Sequence, residues 1–181
     1  MSLQAHMQRL QSLKSELERD HTDILEAAAT TMLRKIKRRI THEGKNSENA
    51  DMGSYSTTPI TVAQKQFVNK GSFKAGGKTG RGKKTMYLPS GYRQLKQIQG
   101  LEAGKVNASY SGHTTDSYVV VKTGKRVFLG MNNKTASRKR RYIEEKYGPV
   151  YLASKDEYLA YKKEVNNGLK QLTLKKLLGH V

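Results

Sequence analysis

Tyr118-Val119-Val120-Val121-Lys122-Thr123-Gly124-Lys125-Arg126-Val127-Phe128-Leu129 decides the fold class of this 181-residue chain. Two runs rich in β-branched and aromatic residues, 118–121 and 126–129, flank a glycine-bearing segment, Lys122 to Lys125. That arrangement predicts an antiparallel hairpin. The strongest patterns elsewhere are helical. The expectation is an α+β fold: a long N-terminal helix packed on a small antiparallel β-sheet, two further C-terminal helices and a long basic loop.

Upstream of the hairpin, residues 2–41 read as one helix. Leu3, Met7, Leu10, Leu13, Leu17, Ile24, Leu25, Ala28, Met32, Ile36 and Ile40 recur at helical spacing, with no Gly or Pro before Gly44. The stripe breaks at Asp20 and His21. Residues 1–23, with the narrow seam Leu3, Leu10, Leu17, Ile24, are expected to form a partner-seeking arm. Residues 24–40 have a wider face suited to a core, which opens a domain spanning 24–165. Residues 45–87 form a long polar connection in which 56–62 is a candidate strand. Within it, 64–86 is expected to be a flexible basic loop, because so few apolar residues cannot offset the entropy of ordering. A short helix follows over 92–99.

Downstream, residues 133–147 read as a helix that stops at Gly148-Pro149. Ser154-Lys155-Asp156-Glu157 is a capping box for a helix over 155–165. Asn166-Asn167-Gly168 weakens that helix and sets off a basic amphipathic tail, 166–181.

Charge narrows the choice of partner. Lys and Arg number 34 against 15 Asp and Glu, a formal +19, and no acid lies between Asp51 and Glu102. That stretch holds Lys65, Lys70, Lys74, Lys78, Arg81, Lys83 and Lys84, and a second cluster is Arg138-Lys139-Arg140-Arg141. Blocks of like charge repel unless an opposite surface meets them: nucleic-acid phosphate, an anionic membrane or an acidic protein. These eleven residues are the candidates for contact with DNA or an acidic partner. The absence of Cys excludes disulfides, thiolate nucleophiles and Cys-based metal sites. No apolar run approaches the ~20 residues of a membrane span, and the polar N-terminus is unlike a signal peptide. A soluble product made inside a cell is expected.

No pattern points to catalysis. Gly77-Lys78-Thr79 has Ser72 where a phosphate-binding loop needs glycine. His6, His21, His42, His113 and His180 show no metal-ligand spacing. His113, Asp116 and Ser117 are too close in one loop to align as base, orienter and nucleophile. A nuclease would need a carboxylate cluster for metal ions, and none is evident. No enzyme activity and no cofactor are expected. Motifs for sequence-specific nucleic-acid reading are also absent.

One ordered constellation remains. The long helix and loop lead to Tyr110-Ser111-Gly112-His113-Thr114-Thr115-Asp116-Ser117-Tyr118. The hairpin then ends Val127-Phe128-Leu129-Gly130, and a helix carries Lys134-Thr135-Ala136 and Ile143-Glu144-Glu145-Lys146-Tyr147-Gly148. Over about residues 24–154 this resembles the tailed-phage virion-morphogenesis family of tail-completion, or minor tail, proteins, with Tyr110 and Thr114 where that family's turn carries leucine. The resemblance implies a homo-oligomeric ring at the head–tail neck or tail end, around the DNA channel and joined to portal-connector and tail proteins. It implies assembly in the host cytoplasm and residence in the virion. Leu3, Leu10 and Leu17 of the arm and Leu174, Leu177 and Leu178 of the tail are then the expected assembly contacts. The alternative is a non-specific DNA-binding or packaging protein, which accounts for the charge but not for the constellation.

Overall fold

The computed structural model describes residues 3–78, 83–108 and 113–178. The fold is α+β, with two small antiparallel sheets where the sequence suggested one. Helix α1 (Leu3–Arg38) runs on as a π-helical turn, Arg39–Glu43, and ends at Gly44, as its apolar stripe predicts.

α1 is continuous through Asp20 and His21, where a division was expected. The polar interruption of the stripe is taken up in two ways. Thr22 turns inward and is buried, its hydroxyl donating to the Glu18 carbonyl at 2.8 Å. Glu18, Asp23 and Glu26 meet the hairpin formed by β4 (Tyr118–Thr123) and β5 (Arg126–Met131). Lys125 pairs with Glu18 at 2.6 Å, and Lys122 reaches Asp23 at 3.0 Å and Glu26 at 3.1 Å. The hydrogen bonds that Lys122 donates to Asp23 and then Glu26 raise its pKa, and the bond from Lys125 lowers that of Glu18. Such exposed pairs stabilise little, but they fix which way the hairpin lies. Lys122 marks the face turned to α1. Alternation puts Tyr118, Val120, Leu129 and Met131 on that face, and Val119, Val121 and Phe128 on the other.

The second sheet joins the candidate strand expected over 56–62, observed as Ile60–Ala63, to strands within and just past the stretch 64–86 expected to be a flexible loop. Strands β1 (Ile60–Ala63), β2 (Gly77–Lys78) and β3 (Lys84–Leu88) pair in the order β1-β3-β2. The 3₁₀ turns Gln64–Gln66 and Lys70–Ser72 link β1 to β2. Phe67 is 4% exposed and meets Phe73 edge-on at 5.2 Å. With Val62, Leu88 and Leu95 they form a small core that seats the sheet on α2 (Gly91–Ile98). Two phenylalanines thus order a stretch whose composition alone reads as unfolded.

After the single turn α3 (His113–Asp116) and the hairpin, α4 (Lys134–Tyr147) starts at Asn133, whose side-chain oxygen accepts from the Ala136 N–H at 2.8 Å. Helix α5 (Lys155–Leu178) opens with the predicted capping box. The Ser154 N–H donates to Glu157 Oε2 at 2.7 Å, and the Glu157 N–H donates to Ser154 Oγ at 3.3 Å. α5 does not break at Gly168. A Cβ there would sit 2.6 Å from Ile24 Cγ2, so the glycine marks a close approach of two helices and not a helix end. Arg39 meets Glu157, Thr31 meets Glu164 and Ile24 meets Gly168, so α5 lies antiparallel along α1.

The main core joins Ile36 and Ile40 of α1 to Met52, Tyr55, Val106, Tyr118, Val150 and Tyr151. The Tyr118 hydroxyl donates to the Tyr151 carbonyl at 2.6 Å, and burial pushes its pKa up to about 12. A raised native pKa stabilises below pH 10 and is lost as pH climbs from 10 to 12, here about 2–3 kcal/mol. Tyr118→Phe is expected to cost about 1 kcal/mol at neutral pH, from the lost hydrogen bond. It should also flatten the loss of stability between pH 10 and 12. Urea melts of both proteins across that range check the prediction.

Candidate nucleic-acid and assembly surfaces

The predicted cations fall on two elements. On the small β unit, Lys65, Lys70, Lys74, Lys83 and Lys84 are all exposed, and β2 and β3 set Lys78 opposite Lys84. The side chain of Lys78 and the whole of Arg81 lie outside the described residues. On α4, Arg138, Lys139 and Arg141 are exposed. Arg140 differs from them. Its Nε bonds Glu144 Oε2 at 2.9 Å, and its guanidinium lies 5.9 Å from the Tyr151 ring centre. Glu144 in turn accepts from the Tyr151 N–H at 3.1 Å. Arg140 therefore ties α4 to the core, and the 138–141 cluster offers three outward cations instead of four.

Lys96, within the same acid-free stretch, is also withdrawn from the surface. It is 1% exposed, with Nζ 3.3 Å from Asn107 Oδ1 and 4.8 Å from the centre of the Tyr55 ring. The Tyr55 hydroxyl donates to the same Asn107 oxygen at 2.7 Å. Burial pulls the Lys96 pKa down, and Glu102 pulls it partly back. The ammonium is a buried strut between α2 and the segment that carries Asn107.

A third set of basic residues was not singled out in the sequence. Arg34, Lys37, Arg38 and His42 lie on the side of α1 opposite its apolar stripe. The signal was present in the helical periodicity, because the residues between the inward Ile36 and Ile40 must alternate around the helix.

The expected assembly leucines lie on the two long helices, α1 and α5. Leu10, Leu17 and Leu174 are 54%, 45% and 56% exposed, and Met7 is 55% exposed. The side chains of Leu3, Leu177 and Leu178 lie outside the described residues. Stepping ten residues from the Gly168–Ile24 contact brings Leu178 level with about Lys14 of α1. The first turns of α1 therefore run past the last described residue of α5, by roughly 16 Å at 1.5 Å per residue. Nothing described in the chain covers Met7 and Leu10 there.

Among the described residues no three His, Asp or Glu side chains gather as a metal-ligand set, and no helix is long and apolar enough to cross a membrane. Comparison with protein-family models, curated proteins and solved structures returned no match to the chain.

Proposed function

We propose that this chain is a structural subunit of a tailed-phage virion, one copy in a ring at the head–tail neck or tail end, around the DNA channel. The observation that carries the reading is the overhang of α1. Met7 and Leu10 are left more than half exposed by the described residues, and a helix face of this kind suits packing against a partner. A ring supplies such a partner through heterologous contacts, in which one surface meets a different surface on the neighbour. The ordered constellation from the long helix through the hairpin to the Tyr147-Gly148 step supports the choice of family. The exposed cations suit passing contact with phosphate, which requires charge and no reading of bases. In this reading portal-connector and tail proteins lie on either side, and the chain does no catalysis and holds no cofactor.

Light scattering in about 1 M salt, where the Debye length is about 3 Å, removes polyanion-driven clustering. Nuclease-treated protein is expected to give the mass of a discrete oligomer, seen as a ring in negative stain. Leu10→Asp with Leu17→Asp is expected to reduce it to monomer. A monomeric wild type that binds DNA tightly, with steep salt dependence, would instead favour the packaging-protein reading.

A further inference from the structure

We propose that the last turns of α1 carry a binding groove for the sugar–phosphate backbone of duplex DNA, separate from the basic β unit and from α4. The segment Arg34-Lys35-Ile36-Lys37-Arg38-Arg39-Ile40-Thr41-His42 is sorted by helical periodicity. Ile36, Arg39 and Ile40 point inward and are at most 4% exposed. Arg34, Lys37, Arg38, Thr41 and His42 line an open groove of about 530 Å³.

Among the described residues, Arg39 is the one cation of the run that has an ion-pair partner, Glu157 at 3.0 Å. Arg34, Lys37, Arg38 and His42 form no ion pair with any described residue. No carboxylate lines the groove. Glu43 follows His42 and is exposed but does not line the groove. Toward the N-terminus the nearest carboxylates are Asp23 and Glu26 of α1, which with Glu164 of α5 share the adjoining hollow with Arg34. All three are engaged: Asp23 and Glu26 hold Lys122, and Glu164 accepts from the Thr31 hydroxyl at 3.1 Å. The surface of α1 thus changes sign at Arg34, and no carboxylate among the residues lining the groove balances its positive charge.

Cations near a helix C-terminus also stabilise the carbonyl end of the macrodipole, but that effect fades within the last turn. Arg34 lies more than two turns before Gly44, beyond its reach. Arg34, Arg38 and His42 follow at four-residue steps, a span of about 12 Å. One duplex strand carries a charge every ~3.4 Å of axis, so the groove matches a run of phosphates better than a single small anion. Two guanidiniums can each take a phosphate by paired hydrogen bonds, and Lys37 adds a point charge between them. The groove presents no constellation for base edges, so binding is indifferent to sequence. The inference rests on the reading above only in naming DNA as the polyanion.

The test compares wild type with Arg34→Gln/Lys37→Gln/Arg38→Gln on a fluorescent mixed-sequence duplex, by anisotropy from about 50 to 200 mM salt. Loss of three phosphate contacts is expected to make the log–log salt slope shallower by about 2.7, and to weaken binding at low salt by at least about tenfold. Gln preserves helix propensity, and an unchanged urea midpoint confirms that the fold is intact. A folded variant with the wild-type slope overturns the groove, as does a wild type that binds polyglutamate and not DNA. A wild type that forms rings yet binds no DNA also overturns the groove while leaving the ring standing. A wild type that binds DNA through this groove but never forms a ring overturns the ring alone.

Discussion

Arg39→Met is expected to cost about 3–5 kcal/mol, the range for removing one partner of a buried ion pair. Arg39 is 4% exposed and serves four acceptors. Its Nε reaches Glu157 Oε1 at 3.0 Å, Nη1 the Lys45 carbonyl at 3.0 Å, and Nη2 the carbonyls of Val150 and Leu152 at 3.2 and 2.8 Å. The guanidinium thus ties α1 to the loop after its π-helical turn and to the segment leading into α5. Methionine fills much of the space but leaves Glu157 charged and buried, with the carbonyls short of a donor. The second oxygen of Glu157 closes the capping box, so the damage spreads to the start of α5. Against a typical total stability of 5–15 kcal/mol this is a large fraction. Urea denaturation followed by circular dichroism measures it. Adding Glu157→Gln should recover part of the loss, because the amide keeps an oxygen for the Ser154 N–H without the unpaired charge. A single-variant loss under about 1 kcal/mol would show that desolvating the pair cancels its attraction.

Gly91→Ala carries the other large effect, about 2–5 kcal/mol. The residue opens α2 at φ +61°, and the chain over Ser56, Thr57 and Thr58 passes directly against it. A Cβ would lie 2.8 Å from the Ser56 carbonyl oxygen and the same distance from the Thr57 carbonyl carbon, with the Thr58 carbonyl oxygen closer still. These are backbone atoms, so no side-chain rotation relieves the contact. The left-handed conformation adds about 1–2 kcal/mol for an L-residue, and overpacking about 1–3. Gly100 separates the two contributions. It has φ +69° but no atom within 4 Å of its Cβ position, so Gly100→Ala should show the conformational part alone. Thermal melts should drop by roughly 4–20 °C for Gly91→Ala and by clearly less for Gly100→Ala. Equal drops would remove steric contact as the cause.

What could be read from the sequence was local. The hairpin, the stops at Gly44 and Gly148, and the Ser154–Glu157 capping box are set by residues within a few positions of one another, and each is present. The three-stranded sheet was not readable. Its strands have two to five residues, too few to show a period, and their order depends on Phe67 and Phe73 meeting α2. Gly168 looked like a helix breaker because only Ile24, on the opposite helix, explains it. The candidate surfaces divide the same way. Positive charge is a property of composition, so the cations were legible as a set. Which of them stay outside was not, because Arg39 and Lys96 are drawn in by Glu157 and Asn107, and the local Arg140–Glu144 pair is held against Tyr151, all of which depends on tertiary contact.

The pairing of α1 with α5 also bears on when the chain can fold during synthesis. Arg39 and Glu157 are 118 positions apart. At roughly 5–20 residues per second, a ribosome needs about 6–24 s to travel from one to the other. For that interval α1 is complete, but its apolar face and the Arg39 guanidinium have no α5 to meet. The β unit and α2 can close sooner, since their contacts are nearby in the chain. Final docking therefore waits until α5 clears the exit tunnel, and the exposed stripe of α1 is where a nascent-chain chaperone would bind.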